Sequence, residues 1–233
     1  MRNVRAIIVD DERPAREEMK ELVQHYPELE LVGEAANAVE ARSIIELVSP
    51  DLIFLDIKMP EESGFDLLES LAEVPVVIFT TAFDHYAVQA FEINALDYLM
   101  KPIREERFAR AMEKVKMEFG KKDPGDKRIF FRDGDKCYFL QLQEIDLIES
   151  ADNYSRLHFR GKKALIKRSL RYWEDILDDQ LFFRISRTEI INTTNIDQIL
   201  PAGRGKLRVR LKTGEVLDIS NRQSSRFRTQ NGI

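Results

Sequence analysis

Cysteine, long apolar runs and internal repeats are scarce or missing in this chain of 233 residues, and each shortage excludes a class of protein. The single cysteine, Cys137, excludes an intrachain disulfide and cannot form a metal site by itself. No apolar run approaches the roughly 18 residues that a membrane-spanning helix needs, and the first residues turn acidic before a signal-peptide core could form. We therefore expect a cytoplasmic protein without membrane contact.

Charge is divided unevenly between the two halves of the chain. Residues 1–122 contain 15 Lys and Arg against 25 Asp and Glu, a balance of −10, whereas residues 123–233 contain 21 against 16, a balance of +5. An acidic first half suits a bound cation, and a basic second half suits a polyanion. The length is comfortable for two domains of about 100 to 130 residues, so we predict two domains with different partners.

The first half alternates strand and helix patterns. Near-continuous apolar runs are typical of buried parallel strands, and five occur, at Ala6–Val9, Leu29–Gly33, Asp51–Leu55, Val76–Thr80 and Ala95–Leu99. Helical spacing follows each of them, over Pro14–Tyr26, Ala38–Val48, Gly64–Leu71, His85–Asn94 and Glu105–Phe119. The prediction is an α/β domain with a doubly wound, five-stranded parallel sheet.

The run GKKDPGDK, which combines glycine, proline and charge without periodicity, predicts an exposed linker. We place the first domain at 1–120, the linker at 121–127 and the second domain at 128–233. Short alternating strands separated by turns make the second domain mostly β. Ser169 can cap its one clear helix, Leu170–Leu177, and no helix-turn-helix is evident.

Charged and hydroxyl residues stand where the apolar runs of the first half stop. Asp10 and Asp11 follow the first run, Asp56 the third, Thr81 the fourth and Lys101 the fifth. Because the carboxyl ends of parallel strands meet at one edge of a sheet, these side chains are expected to converge. Three adjacent carboxylates repel one another unless a hard cation such as Mg2+ lies among them, and the lysine and threonine suit phosphoryl oxygens. The pattern predicts a phosphoryl-acceptor site.

Each of these residues also has a purely structural interpretation. The first two aspartates could cap the following helix, Asp56 could begin a turn, and Lys101 could be a solvated loop charge. Each such explanation is reasonable alone. The coincidence of all of them at the ends of separate strands favours the functional interpretation.

Three segments, VDDERPAR, LDIKMPEESGFDLL and FTTAFDHYAVQAFEINALDYLMKPI, resemble the receiver domain of two-component response regulators over residues 1–120. The resemblance implies a flavodoxin-like fold that accepts a phosphoryl group from a histidine kinase, with a peptide before Pro102 that is usually cis. It also implies the following roles: acceptor, Asp56; Mg2+ ligands, Asp10, Asp11, Asp56 and the backbone carbonyl of Lys58; phosphoryl binding, Thr81 and Lys101; switch aromatic, Tyr98.

Lys58 bears on the main alternative for this half, a phosphatase of the aspartyl-phosphate class. Such an enzyme needs an acid two positions beyond the nucleophile, and Lys58 occupies that position relative to Asp56. A lysine there argues against rapid hydrolysis. We therefore expect a phosphoryl acceptor that is not an enzyme, with at most slow self-dephosphorylation.

Basic residues alternate with apolar ones on two strands of the second half. Strand period two puts the cations of each strand on one face, namely Lys206, Arg208, Arg210 and Lys212 on one strand and Arg156, His158 and Arg160 on the other. A solvated outer face of a sheet explains either set alone. Two basic faces in a positively charged domain favour a surface that binds the phosphates of a nucleic acid.

Four segments, ESADNYSRLHF, SLRYWEDIL, FFRISRTEIINTTNIDQI and KTGEVLDISNRQ, resemble the LytTR-type DNA-binding domain over about residues 127–228. The resemblance implies an elongated β fold whose loops read adjacent major grooves, and dimers on direct repeats of promoter DNA. The candidate DNA contacts by this resemblance are Asn153, Ser155, Arg187 and Arg222. Independently of it, Arg204 in the glycine-flanked turn AGRGK is either a phosphate contact or an exposed turn charge. Arginine suits a bidentate contact with guanine.

Two residues depart from the pattern of that family. Ser186 replaces the usual histidine before Arg187, and Glu189 replaces a common aromatic or aliphatic residue. They motivate an alternative, a phosphorylation-switched module that binds protein or RNA instead of duplex DNA. The favoured hypothesis is a transcriptional regulator in which phosphorylation at Asp56 changes receiver association, and so the avidity of paired domains for promoter DNA.

Overall fold

The computed structural model describes residues 3–82, 95–121, 127–134, 136–203 and 205–231. They form two compact units, Met1–Phe139 and Leu140–Ile233. The helix predicted over His85–Asn94 lies outside the described residues, as do residues 122–126 of the predicted linker. Among the described residues, no helix combines the length and the apolar character that crossing a membrane requires.

The first unit contains the parallel sheet that the sequence predicts. Its strands are β1 Val4–Val9, β2 Leu29–Ala35, β3 Leu52–Asp56, β4 Val76–Thr81 and β5 Asp97–Met100, in the order β2-β1-β3-β4-β5. Its described helices are α1 Arg13–Gln24, α2 Ala38–Val48, α3 Gly64–Ser70 and α4 Glu105–Lys121. The predicted α/β fold class is confirmed.

Apolar layers cover both faces of this sheet. Residues of β3 alternate between them: Ile53 and Leu55 pack with α2 and α3, whereas Leu52 and Phe54 pack with α1 and α4. Because both faces are buried, the strands need apolar side chains at nearly every position. The packing explains the near-continuous apolar runs and leaves the strand ends as the place for polar residues.

A hairpin completes the layer that α2 and α3 form. Its strands are β6 Arg128–Asp133 and β7 Lys136–Gln141. Phe130 stacks on Phe65 of α3 with ring centroids 6.0 Å apart and lies 5.0 Å from Phe139 of the opposite strand. The compact first unit therefore extends past the predicted linker, because the aromatic face of this hairpin belongs to the core of the parallel-sheet domain.

Polar contacts fasten the same hairpin at both ends of β6. The backbone N–H of Val74 donates to the carbonyl of Arg128 at 2.8 Å. The guanidinium of Arg132 donates to Asp66 at 2.8 Å and, through Nε, to Glu69 at 2.9 Å. The first turn and the last turn of α3 are thus both held by one arginine.

The second unit is built mainly from two antiparallel sheets. One contains β8 Ile145–Ala151, β9 Tyr154–Phe159, β10 Lys162–Ile166, β11 Phe182–Arg184 and β12 Glu189–Asn192, in the order β10-β9-β8-β12-β11. The other contains β13 Ile196–Pro201, β14 Leu207–Leu211 and β15 Val216–Ile219 in sequential order. Its helices are α5 Leu170–Ile176 and α6 Asn221–Asn231. The prediction of a mostly β second domain is confirmed.

Helix α6 was not predicted from the sequence. Its one large apolar residue, Phe227, is fully buried, with its ring centroid 5.0 Å from that of Phe183. The buried hydroxyl of Ser224 accepts a hydrogen bond from the N–H of Leu207 at 3.1 Å and donates to the carbonyl of Ile219 at 3.2 Å. A helix that docks through one ring and one hydroxyl has no apolar stripe for a periodicity argument to detect.

Candidate functional site

The carboxyl edge of the parallel sheet carries the predicted acceptor residues. Asp56 is the last residue of β3, the central strand, which lies between β1 and β4. Asp10 directly follows β1, Thr81 ends β4, and Lys101 directly follows β5. The strand order therefore brings residues that are far apart in the sequence to one edge.

One ammonium group bridges two of the carboxylates at this edge. Lys101 Nζ lies 2.7 Å from Asp10 Oδ2 and 2.7 Å from Asp56 Oδ2, and 3.6 Å from a carboxylate oxygen of Glu12. Oxygens of Asp10, Asp11 and Asp56 all lie within 4.8 Å of one another. The site thus concentrates more negative than positive charge in a small volume.

Burial shapes the electrostatics of this cluster, because the side chains of Asp10 and Asp56 are only 5% and 8% exposed. Burial raises the pKa of Asp10, and the hydrogen bond from Lys101 opposes that rise only in part. Burial by itself would lower the pKa of Lys101, but its bonds to both aspartates outweigh that effect and raise the pKa. The lysine is held charged, and the remaining excess of carboxylate favours a further cation.

The loop after β3 fixes the orientation of the Asp56 side chain. The backbone N–H of Lys58 donates to Asp56 Oδ1 at 3.0 Å, and the N–H of Gly64 donates to the carbonyl of Ile57 at 2.9 Å. A Cβ added at Gly64 would lie 2.4 Å from the carbonyl oxygen of Asp56. The capping box between Ser63 and Asp66 starts α3 at this glycine, so the helix begins in direct contact with the acceptor backbone.

Arg16 is a contributor that the sequence argument missed. Its Nη1 donates to the carbonyl of Asp10 at 2.8 Å and to that of Asp11 at 3.4 Å, so it holds the backbone from which both carboxylates project. Its Nε lies 3.4 Å from Glu34. The sequence signal for this role was an arginine in the first turns of α1, the helix that follows Asp10 and Asp11.

Thr81 and Tyr98 occupy interior positions. Thr81 is fully buried, and Tyr98 is 8% exposed. Tyr98 pairs in register with Phe79 of β4, and both rings belong to the layer that α3 covers. The ring of the predicted switch residue therefore faces the interior in this structure. The Lys101–Pro102 peptide is cis, as the resemblance implied.

Three of the predicted DNA contacts are exposed, on three different segments of the second unit. Asn153 lies in the turn between β8 and β9, Arg187 in the loop between β11 and β12, and Arg222 in the first turn of α6. Backbone hydrogen bonds join these segments: the N–H of Ser150 donates to the carbonyl of Thr188 at 2.8 Å, and that of Ser220 to Ile185 at 3.0 Å. The Arg187 loop is thus tied to both other segments.

Ser155 requires a correction, and Arg204 lies outside the described residues. Ser155 is fully buried, and its hydroxyl donates to the carbonyl of Arg168 at 2.7 Å. A side chain that is already bonded inside the domain does not reach DNA from this position. Ser155 supports the fold, and the exposed Asn153 beside it remains the candidate contact.

Acidic neighbours pair with the residues of one predicted basic face and with one residue of the other. Arg160 donates to Glu144 at 2.7 and 2.6 Å, and Arg208 donates to Asp218 at 2.6 Å. His158 is buried, with Nε2 2.6 Å from a carboxylate oxygen of Glu149. Alternation places side chains on a face but does not reveal their acidic neighbours, so the face of β9 is a poorer phosphate-binding surface than the sequence suggested.

Comparison with known proteins identifies two domain families along the chain. Residues 6–113 match the family model of the response regulator receiver domain, and residues 122–232 match that of the LytTr DNA-binding domain. The sensory transduction protein LytT of Enterococcus faecalis is 33% identical over 238 residues, which cover 97% of this chain and 98% of that protein. The chain belongs to the LytTR-type response regulators. As a response regulator of this type, it couples a receiver to a DNA-binding domain, and the two domains imply a sensor kinase and DNA as partners.

A second full-length relative and one solved receiver domain are also similar to this chain. The transcriptional regulatory protein BtsR of Escherichia coli K12 is 32% identical over 231 residues, covering 94% of this response regulator and 95% of that protein. Among solved structures, the response regulatory domain of protein mrkE from Klebsiella pneumoniae is 30% identical over 51% of this chain and 99% of its own, with a TM-score of 0.47. The prediction of a phosphorylation-dependent, DNA-binding regulator is confirmed.

Proposed function

We propose that Asp56 is the residue that accepts the phosphoryl group from the sensor histidine kinase. The observation that carries the proposal is the 2.7 Å contact between Lys101 Nζ and Asp56 Oδ2 at the end of the central strand. A carboxylate attacks a phosphoryl donor only when the charge of the donor is neutralised, and a fixed ammonium beside the nucleophile does this. The Lys58 N–H holds the other carboxylate oxygen, so the attacking group is already oriented.

Mg2+ fits the carboxylates beside this nucleophile. The oxygens of Asp10, Asp11 and Asp56 are hard ligands of the kind that Mg2+ prefers, and their mutual distances within 4.8 Å suit one shared ion. The backbone carbonyl of Lys58 is the proposed fourth protein ligand. When bound, Mg2+ supplies positive charge to the phosphoryl oxygens. Arg16 contributes by fixing the backbone of the first two ligands.

The phosphorylated state is proposed to be a signal and not a step of a catalytic cycle. Thr81 and Lys101 bind the phosphoryl oxygens at the ends of β4 and β5, and Tyr98 is the switch aromatic that responds to phosphorylation of Asp56. Lys58 stands where a phosphatase has its acid, so self-dephosphorylation is at most slow. The protein is therefore an acceptor without enzymatic turnover.

Labelling with a small phosphodonor tests the acceptor. The wild type is incubated with acetyl phosphate and Mg2+, and the intact mass is followed over time. Asp56→Asn is expected to abolish the mass increase of one phosphoryl group, whereas Asp179→Asn, which changes an exposed aspartate of the second unit, should label like the wild type. Equal labelling of Asp56→Asn would refute the assignment, and loss of labelling on chelation of Mg2+ supports the proposed ion.

DNA recognition is proposed to involve Arg187, Arg222 and Asn153, which are exposed on segments joined by backbone hydrogen bonds. Arg204 stays a proposed phosphate contact. The regulator acts in the cytoplasm and binds direct repeats in promoter DNA as a homodimer, so that association of phosphorylated receivers raises the avidity of the paired DNA-binding domains.

Binding to duplex DNA at several salt concentrations tests these contacts. A duplex is enriched from a random library with the wild type, and a scrambled duplex of equal composition is the reference. Arg187→Ala should reduce the preference for the enriched duplex by about 5- to 150-fold, the range expected for one bidentate arginine–guanine contact. Arg171→Ala, which removes an exposed charge from α5, should affect both duplexes equally. An unchanged preference in both Arg187→Ala and Arg222→Ala would show that the contacts are misassigned.

A further inference from the structure

Hydrogen bonds to backbone carbonyls hold the loop between β11 and β12. All five carbonyls from position 185 to 189 accept hydrogen bonds from the described residues, and the donors are the N–H groups of Ser220, Ser150, Ile185 and Ser186 and the guanidinium of Arg184. Backbone carbonyls that are satisfied by the protein cannot easily change direction, because each move would cost a hydrogen bond. The loop therefore presents the Arg187 side chain from a fixed backbone.

Arg184 supplies the bonds on both sides of the exposed arginine. Its Nε donates to the carbonyl of Ser186 at 3.0 Å, and its Nη2 donates to the carbonyl of Arg187 at 2.7 Å. Its third nitrogen, Nη1, donates to Glu174 of α5 at 2.5 Å. One guanidinium thus spans two successive carbonyls and anchors them to a helix, which uses the planar, multidentate geometry that lysine lacks.

Ser186 and Glu189, the two departures from the family pattern, belong to the same arrangement. Ser186 Oγ donates to a carboxylate oxygen of Glu189 at 2.7 Å and accepts the N–H of Thr188 at 3.1 Å. Serine in this role forms a local turn. Both residues are thus directed into the loop and toward each other, and Arg187 is the one long, exposed basic side chain on it.

We propose that Arg184 is a positioning residue for DNA recognition, which fixes the backbone of the Arg187 loop without touching DNA itself. The inference rests on the proposed contact between Arg187 and a base. A recognition loop that is rigid before binding loses less conformational entropy in the complex. The contact between its arginine and the correct base pair therefore contributes more net binding free energy. Against a wrong base, or against phosphates alone, the same rigidity gives no advantage.

The variant Arg184→Lys separates this role from a charge effect. It keeps the positive charge, so the electrostatic part of DNA binding and its salt dependence should stay at the wild-type level. It cannot span both loop carbonyls and Glu174 at once. The preference of the full-length protein for the enriched duplex over the scrambled one should fall about tenfold, which lies within the discrimination of one arginine–guanine contact.

A double-mutant cycle with Arg187→Ala provides the decisive readout. If Arg184 acts only through Arg187, then Arg184→Lys should change the preference in the wild-type background and leave it unchanged in the Arg187→Ala background. Equal losses in both backgrounds would overturn the inference. So would a wild-type preference in Arg184→Lys when Arg187→Ala alone is impaired.

Two outcomes separate a failure of the proposed Arg187 contact from a failure of the inference about Arg184. If Arg187→Ala does not alter the preference for the enriched duplex, the proposed contact between Arg187 and a base is wrong. That result refutes the proposed function of Arg187, on which the inference about Arg184 rests. If Arg184→Lys unfolds, Ser186→Ala replaces it in the cycle, because it removes the hydroxyl bonds to Glu189 and Thr188 and keeps the guanidinium. The same coupling with Arg187→Ala is expected, at a smaller amplitude, and additive losses would again refute loop positioning.

Discussion

Replacement of Gly64 by alanine tests how closely α3 approaches the acceptor. The added Cβ would lie 2.4 Å from the carbonyl oxygen of Asp56 and 3.0 Å from Leu55 Cγ, whereas ordinary contacts begin at 3.4 Å. The helix start and the acceptor backbone would have to separate by about 1 Å, and a displacement of that size at a reacting group can cost about 100-fold in rate. The obstacle is backbone, so a change of side-chain rotamer does not relieve it.

Two quantities are expected to change in Gly64→Ala. The rate of phosphorylation by acetyl phosphate with Mg2+ should fall about 100-fold. The free energy of unfolding should fall by about 1–3 kcal/mol, the typical cost of overpacking. Mass spectrometry over time gives the rate, and urea unfolding gives the stability.

Gly120→Ala is the matched control for the same chemical change. Apart from its chain neighbours and the nearby backbone of α4 itself, no described atom lies within 4 Å of a Cβ added at Gly120. Alanine is favoured over glycine inside a helix by about 1 kcal/mol, so this variant should be as stable as the wild type or slightly more stable. A Gly64→Ala protein that labels at the wild-type rate would refute the reasoning, whether or not it is less stable, because the displacement would then not reach Asp56.

Three other predictions concern the stability and reactivity of the first unit. The side chain of Asp97 is 2% exposed and receives two hydrogen bonds from Arg107 and one from Lys114. Burial would raise the pKa of Asp97, but these bonds outweigh it and lower the pKa. The stabilisation is therefore present above about pH 4 and is lost as the pH falls through the lowered pKa. Arg107→Ala should cost about 2 kcal/mol in urea unfolding at pH 7, and this cost should decrease steadily as the pH is lowered below about 4. A cost that does not decrease with pH would contradict this reasoning. Burial raises the pKa of Cys137 to about 11, so alkylation at pH 8 should be at least about tenfold slower than in urea, and equal rates would contradict the packing. Phe130→Ala should destabilise the first unit by about 3–5 kcal/mol in the same urea assay, and a loss under 1 kcal/mol would place the ring outside the core.

The sequence predicted the first unit well because its signals are local and repeated. Near-continuous apolar runs define strands that are buried on both faces, and polar residues at their ends can lie only at the sheet edge. Asp10, Asp56 and Lys101 therefore meet as the strand order requires. Gly64 escaped the argument because its close contact is with a backbone carbonyl, which leaves no pattern in side-chain type. Arg16 also binds backbone carbonyls, and only its place in the helix after two aspartates pointed to it.

The second unit was predicted at the level of fold but less well at the level of side chains. Strand period two assigned His158 to an exposed basic face, yet the residue is buried beside Glu149. The motif around Ser155 suggested contact with DNA, yet its hydroxyl serves the backbone of Arg168. The His158 contact depends on which residues face each other across β8 and β9, and the Ser155 contact depends on the course of the chain after β10. A single sequence states neither.

The β6–β7 hairpin has a practical consequence for any attempt to divide the protein. Residues 122–232 match the DNA-binding family, but Phe130 and Phe139 complete the aromatic layer over α3 in the first unit. A recombinant receiver that ends at residue 120 would leave the ring of Phe65 without its stacking partner, and an apolar surface of this kind promotes self-association. Oligomeric states measured on such a fragment would then reflect the truncation and not the phosphorylation state.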